Sequence, residues 1–278
     1  MFQNAPRFRR PARIRRMATW KRRREDVGGI TLTVRTLGAD GASLVLLHGL
    51  GVSGAVWQGI GRLLSDLGRM VAPDLRGHGE SDKPSAGYLP RDYVGDISAL
   101  LAHEPSRPLA VIGHSLGAVI AAQLAAERPE LMSKLILIDP PFDATRSREH
   151  ISVVESLRHA GPGVLEAELL RREPGMGDLY AKALASLYRA ASDGAFKAVL
   201  RSEPGFPAAV AVLGTIKAET LIVAADPDLD AALGAEAGER AVAALQHGRL
   251  VTILGARHAV HASKPREFAQ AVHDFLQE

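Results

Sequence analysis

The residues best placed to do chemistry are in Gly113-His114-Ser115-Leu116-Gly117, directly after the apolar run Leu109-Ala110-Val111-Ile112. A serine that ends a buried strand and opens a helix must turn the backbone sharply. Residues two before and two after it must then be nearly side-chain-free, because strand and helix crowd there. Gly113 and Gly117 meet that need. The following stretch, Ala118 to Glu127, is small and helix-favouring and stops before Pro129. Its N-terminus would aim peptide N–H groups at the point where negative charge collects on an attacked carbonyl. The chemistry implied is attack by a hydroxyl on an acyl carbon. A plain glycine-flanked serine loop is the competing reading of the pentapeptide, and the strand-before, helix-after context weighs against it.

A serine hydroxyl needs a base, and the base needs an orienting acid. His258, in Gly255-Ala256-Arg257-His258-Ala259-Val260-His261, follows the apolar run Arg249 to Leu254 and is the expected base. His261 is its rival, but its place beside the last helix favours a structural part. For the acid, Asp226, Asp228 and Asp230 cluster after Val223-Ala224-Ala225, and Asp139 closes the apolar run that starts at Lys134. The aspartate cluster also invites a cation, but Pro227 and the lack of a glycine turn do not fit a calcium loop. No metal or cofactor is expected. His48-Gly49-Leu50-Gly51 follows another buried run, so the Leu50 N–H is expected to pair with that of Leu116 as oxyanion donors.

Strand and helix alternate around these residues. Strands are expected at Ile30–Leu37, Ser43–His48, Arg69–Leu75, the run into Ser115, and Lys134–Asp139, with helices at Trp57–Leu67 and Tyr93–Leu101. The alternation implies a mostly parallel sheet covered by helices on both faces, with ligands at the carboxyl ends of the strands. The rhythm breaks over residues 142–214, where helical patterns recur without a buried strand. This reads as an inserted helical lid between two core segments, 26–141 and 215–278. Phe142, Met176, Leu179, Tyr180 and Phe196 are candidates to line an apolar substrate pocket beneath it, with packing inside the lid as the alternative for each.

Composition sets the outer bounds. With 46% apolar and 23% charged residues and no run of roughly 18 apolar residues, the chain reads as soluble and cytoplasmic rather than membrane-spanning. Having no cysteine excludes a disulfide, a thiolate nucleophile and a zinc–thiolate site. The formal net charge of +3 conceals an asymmetry: the first 24 residues hold ten basic side chains and no acid, which leaves the remainder net acidic. Residues 1–25 are therefore expected to form a disordered basic arm, with contact to nucleic acid or an anionic membrane as the functional alternative. The arm lacks the apolar segment of a secretory signal. Met17-Ala18-Thr19-Trp20 is a candidate second start.

From about Ile30 to the C-terminus, lid excepted, the chain resembles the α/β-hydrolase superfamily. The resemblance is carried in order by Leu47-His48-Gly49-Leu50-Gly51, the stretch Pro73-Asp74-Leu75-Arg76-Gly77-His78-Gly79-Glu80-Ser81-Asp82-Lys83-Pro84, Gly113-His114-Ser115-Leu116-Gly117, and Arg257-His258. It implies an α/β fold with a mostly parallel, eight-stranded-type sheet and an inserted helical lid. It implies a Ser115–His258–Asp228 triad, while Asp139 stays the alternative acid from the reading of the residues. Two departures bear on Asp228: Ala225 stands where glycine is usual, and Glu219 where proline often precedes the strand. The Asp74–Pro84 stretch is similar to a structural loop of the family, in which Asp74, Arg76 and His78 lock a turn.

Within such a family the residue choices narrow the chemistry. A serine nucleophile disfavours dehalogenase and epoxide-hydrolase action, Ala259 replaces the tryptophan usual in carbon–carbon bond hydrolases, and Leu116 the methionine of haloperoxidase-like esterases. Hydrolysis of a hydrophobic carboxylic ester or lactone through an acyl-enzyme is the expected function. The alternative is a ligand-sensing or tethered protein of the same fold with little turnover.

Overall fold

The computed structural model describes residues 19–38, 43–104, 108–142, 144–173, 175–201 and 208–278. Eight strands form one sheet: β1 (Lys21–Asp26), β2 (Thr31–Leu37), β3 (Ser43–Leu47), β4 (Arg69–Pro73), β5 (Pro108–His114), β6 (Lys134–Ile138), β7 (Glu219–Ala224) and β8 (Gly248–Thr252). Their spatial order is β1-β2-β4-β3-β5-β6-β7-β8. The pairs β1–β2 and β2–β4 are antiparallel, and every pair from β4 to β8 is parallel. The mostly parallel α/β sheet expected from the alternation is observed, with the eight strands that the resemblance implies.

The parallel strands read as continuous apolar runs because both sheet faces are covered. Successive residues alternate between two core layers. Val45, Leu47, Val111, Leu135, Leu137 and Ile222 face α1 (Pro90–Ala102) and α2 (Leu116–Glu127). Leu44, Leu46, Ile112, Ile136, Ile138 and Val223 pack with Trp57, Ile60 and Leu64 on the opposite face. The helix α2 is buried on nearly every side, which accounts for its small, uniformly apolar sequence.

Between β6 and β7 the chain forms α3 (Ala144–Leu157), α4 (Val164–Arg172), α5 (Asp178–Ala190), α6 (Asp193–Arg201) and α7 (Ala208–Val212). This is the stretch where the strand rhythm lapses in the sequence. The sheet resumes with β7, followed by α8 (Ala235–Ala244), β8, α9 (Val260–Ser263) and α10 (Pro265–Gln277). The phenylalanines Phe268 and Phe275 of α10 close the second core layer. Among the described residues no helix is long and apolar enough to cross a membrane.

Two sequence expectations are corrected. The basic arm does not extend to residue 25, because Lys21–Asp26 is the edge strand β1 paired along β2. Acids of the body receive its arginines: Arg22 pairs with Glu80 at 2.5 Å, Arg24 with Asp82 at 3.2 Å, and Arg23 with Glu25 and with the buried Glu104. Charge pairing across the sheet edge, invisible to a local reading, converts a basic run into structure. Residues 1–18, and with them the rest of the arm and Met17, lie outside the described residues. The helix expected over Trp57–Leu67 is instead a 3-10 turn at Gly54–Gln58 followed by turns, although Trp57, Ile60 and Leu64 are still buried.

The Asp74–Pro84 stretch is locked as the resemblance implies. Asp74 is fully buried, ion-paired to Arg35, and accepts the N–H groups of Gly54 at 2.8 Å and Glu80 at 2.9 Å. Arg76 binds Asp96 through two nitrogens, at 2.6 and 2.5 Å.

Candidate active site

Ser115 occupies the break between β5 and α2 with φ 52° and ψ −113°. Among the described residues, Ser115 and Asp139, at φ 39°, are the non-glycine residues with positive φ. Such a conformation costs an L-residue about 1–3 kcal/mol and persists where the surroundings impose it. At Ser115 the crowding of strand against helix imposes it. A Cβ on Gly113 would lie 2.2 Å from the Gly117 carbonyl oxygen, and one on Gly117 would lie 2.2 Å from that of Leu47. The Ser115 N–H donates to the Ile138 carbonyl at 3.0 Å, which ties the turn to β6.

His258 lies on the loop after β8, with Nδ1 2.6 Å from Asp139 Oδ2. Asp139 follows the last residue of β6 and is fully buried. Its Oδ2 also accepts the Ala232 N–H at 2.7 Å, and its Oδ1 faces those of Ala225 and Leu233, each at 3.3 Å. Both oxygens are occupied, so the carboxylate fixes the imidazole in orientation and tautomer. With Nδ1–H donating to Asp139, Nε2 carries the lone pair that can take a proton. Burial pulls the His258 imidazole down, but the hydrogen bond and charge of Asp139, with the charge of Asp230, hold it above its ordinary value.

The acid first implied by the resemblance is therefore corrected: Asp139, the alternative, sits on the histidine, and Asp228 does not. Asp228 is exposed and its N–H bonds back to Asp226 at 3.1 Å. Asp226 in turn accepts the Gly255 N–H at 2.7 Å. The loop after β7 thus supplies N–H donors to Asp139 rather than the acid itself.

Ser115 and His258 line one pocket together with Gly49, Leu50, Met176, Tyr180 and Phe196. Three of the five apolar candidates are thus brought to the site. Phe142 instead packs into the core layer beside α2. Leu179 is 84% exposed, because a helix turns about 100° per residue and α5 directs Ala181 and Ala185 inward and Tyr180, Leu184 and Tyr188 to the pocket.

The Leu50 peptide is set by a residue whose part the sequence reading missed. His48 is fully buried; its Nε2 accepts the Leu75 N–H at 2.9 Å, so its Nδ1–H donates to the Gly49 carbonyl at 2.7 Å. In a planar trans peptide the next N–H points opposite to that carbonyl. Binding of the Gly49 oxygen by His48 therefore turns the Leu50 N–H away from His48. Burial, partly offset by the bond to Gly49, lowers the His48 imidazole to about 4 and keeps it neutral for this task. The signal was the position of His48 immediately before Gly49.

Two further histidines pack near His258, His114 directly against it and His261 against His114. His114 Nε2 lies 3.0 Å from the His258 carbonyl oxygen, and its ring is 4.6 Å from that of His258 and 4.9 Å from that of His261. His261 stacks on Trp57 at 4.4 Å. Burial pushes His114 well below its ordinary value and His261 down to about 3, with neighbouring imidazoles adding to both shifts. His261 is buried and neutral, and it also lines the pocket that holds Ser115 and His258. Among the described residues no cluster of His, Cys, Asp and Glu is arranged to hold a metal ion.

A serine on a strained turn, an imidazole held by a buried carboxylate and backbone N–H groups at a helix N-terminus form an arrangement able to transfer an acyl group. Similarity to known proteins agrees with the fold that carries it. The 2-(acetamidomethylene)succinate hydrolase of Mesorhizobium japonicum is 37% identical over 144 residues, 52% of this chain and 51% of that protein. Lipase LipV of Mycobacterium tuberculosis is 34% identical over 151 residues, 53% of this chain and 56% of that protein. The chain thus spans about half the length of these curated relatives. The crystal structure of an E-2-(acetamidomethylene)succinate hydrolase superposes with a TM-score of 0.77 at 28% identity, covering 94% of this chain and all of that one. The alpha/beta hydrolase family model matches residues 44–271, and the chain belongs to that family.

Proposed function

We propose that this protein is a serine hydrolase that cleaves carboxylic esters or lactones through an acyl-enzyme, with Ser115 as nucleophile, His258 as general base and Asp139 as the orienting acid. The observation that carries the reading is the pairing of His258 Nδ1 with the buried Asp139 at 2.6 Å, with His258 lining a pocket that the positive-φ Ser115 also lines. Relatives named as a hydrolase and a lipase support the same reaction class.

In this reading, Ser115 Oγ adds to the carbonyl carbon as its proton passes to His258 Nε2. The oxyanion accepts hydrogen bonds from the N–H groups of Leu50 and Leu116. The intermediate collapses with cleavage of the carbon–oxygen bond, and the leaving alkoxide takes the proton from His258. Water then adds to the acyl-enzyme, giving its proton to His258, and collapse returns that proton to Ser115 and frees the carboxylic acid. A lactone follows the same course and leaves as one hydroxy acid. The helices α3–α6 act as a lid that selects a medium-sized apolar acyl group, with Leu50, Met176, Leu184, Tyr188 and Phe196 as its walls.

Labelling by a fluorophosphonate together with turnover of short p-nitrophenyl esters tests this directly. Both should be lost in Ser115→Ala, with the circular dichroism spectrum and melting temperature retained. Sustained hydrolysis by that variant would refute the assignment. Met176→Ala should raise KM for a butyrate ester several-fold while Leu179→Ala leaves it unchanged.

A further inference from the structure

Arg257, the residue before His258, is where the sheet core and the helical insertion exchange charge. Its Nε lies 3.6 Å from Glu173 Oε1, just past the end of α4, and its Nη1 lies 3.9 Å from Asp230 Oδ1 on the loop after β7. Nη1 also donates to the Arg172 carbonyl at 3.3 Å. The same Asp230 Oδ1 accepts the backbone N–H of His258 at 3.2 Å. One carboxylate oxygen therefore touches the backbone of the base and faces the guanidinium beside it. Asp230 and Glu173 both line the pocket that contains Ser115.

We propose that Asp230 is a positioning residue for His258 and that, through Arg257 and Glu173, it couples the seating of the helical insertion to the protonation of the base. The proposal rests on the reading of His258 as the general base. Several groups face that imidazole. Asp139 binds its Nδ1 from the end of β6 and the charge of Asp230, bound to the His258 backbone N–H, acts on it from the loop after β7, while His114 from β5 and His261 from α9 are buried and neutral. Arg257 adjoins it in the chain, and Glu173 and Arg172 stand beyond Arg257 on the insertion.

The coupling follows from competition for one cation. The negative charge of Asp230 favours the imidazolium that forms when His258 takes a proton, and Arg257 opposes it. A seated insertion brings Glu173 to Arg257 and draws the guanidinium from Asp230, so that more of the Asp230 field reaches the base. With the insertion lifted, Arg257 pairs with Asp230 alone and cancels that field. Glu173 fits a shared cation: burial and then Asp230 raise its carboxyl, and Arg257 opposes the rise.

The test follows the His258 ring proton by NMR through a pH titration, alongside kcat and KM for p-nitrophenyl butyrate. Asp230→Asn keeps an oxygen for the His258 N–H but removes the charge, and should lower the His258 pKa by about half a unit. The acid limb of kcat/KM should move down with it. Asp230→Ala also removes the backbone acceptor and should lower kcat by about tenfold with a smaller change in KM. Glu173→Gln should lower the His258 pKa in the parent protein and lower it less in the Asp230→Asn background. An unchanged His258 pKa in Asp230→Asn, or independent addition of the two shifts, would overturn the coupling. Shifts as expected in a protein that neither labels nor turns over would count against the hydrolase reading alone. Full turnover without the shifts would count against the coupling alone.

Discussion

Asp139 and Asp228 both stand just beyond apolar parallel strands whose carboxyl ends meet the pocket, and they occupy opposite environments. Asp139 is fully buried at positive φ and accepts hydrogen bonds on both oxygens, one of them from His258. Asp228 is exposed, in a turn organised by Asp226. The strand β6 lies directly beside β5, which carries Ser115, whereas β7 lies one strand further out. The loop after β7 then folds back and presents the N–H groups of Ala225, Ala232 and Leu233 to Asp139. An acid near a strand end is thus not defined by the strand alone; what matters is which neighbouring loop supplies its donors.

The largest test of this contrast is Asp139→Asn. Loss of the carboxylate that fixes the His258 tautomer should lower kcat by about 10³–10⁴-fold, measured on a p-nitrophenyl ester with folding checked by circular dichroism. A small loss there, with a large one in Asp228→Asn, would reverse the assignment.

The pH profile sharpens it next. As the proposed general base His258 would act in its neutral form, and its imidazole is held above the ordinary value of 6.5. The rate should therefore fall about tenfold per pH unit as pH drops below that raised value. In Asp139→Asn the raising partner is weakened while burial remains, so the residual activity should show its acid limb at lower pH. An acid limb at the same pH in both proteins would break the link between Asp139 and the base.

Smaller effects belong to the loop after β7. Asp226→Ala removes the acceptor for the Gly255 and Asp228 N–H groups and should cost about 1 kcal/mol in urea unfolding, with a modest fall in kcat. Asp228→Asn should change kcat by less than about twofold and stability by less than about 0.5 kcal/mol, as at exposed sites without special contacts.

Much of the site was legible in the residues. Gly113 and Gly117 announced Ser115 because the backbone contacts they permit are local to one strand–turn–helix unit. His258 was legible because it follows an apolar run, and the place of Leu50 in the pocket wall because it follows a buried strand. The acid was ambiguous because two strand ends carried aspartates in similar local settings. Among the lid candidates, Met176, Tyr180 and Phe196 reach the pocket while Phe142 and Leu179 do not. Composition cannot distinguish these, since the facing side depends on helix phase and docking. The role of His48 was hidden for a related reason: its two ring nitrogens are satisfied by Leu75 and Gly49, and Leu75 lies far along the chain.

The sequence by itself determined the alternating elements, the double-faced parallel sheet and the turn that holds Ser115, because each depends on spacing over a few residues. Tertiary structure alone decided that Asp139 binds His258, that Lys21–Asp26 pairs as an edge strand, and that Asp230, Arg257 and Glu173 meet beside the base. Those outcomes depend on which distant donors and charges converge in three dimensions. The physical reason is range: backbone sterics and periodicity act between neighbours, while hydrogen-bond satisfaction and charge pairing in a buried site are settled only when remote strand ends are brought together.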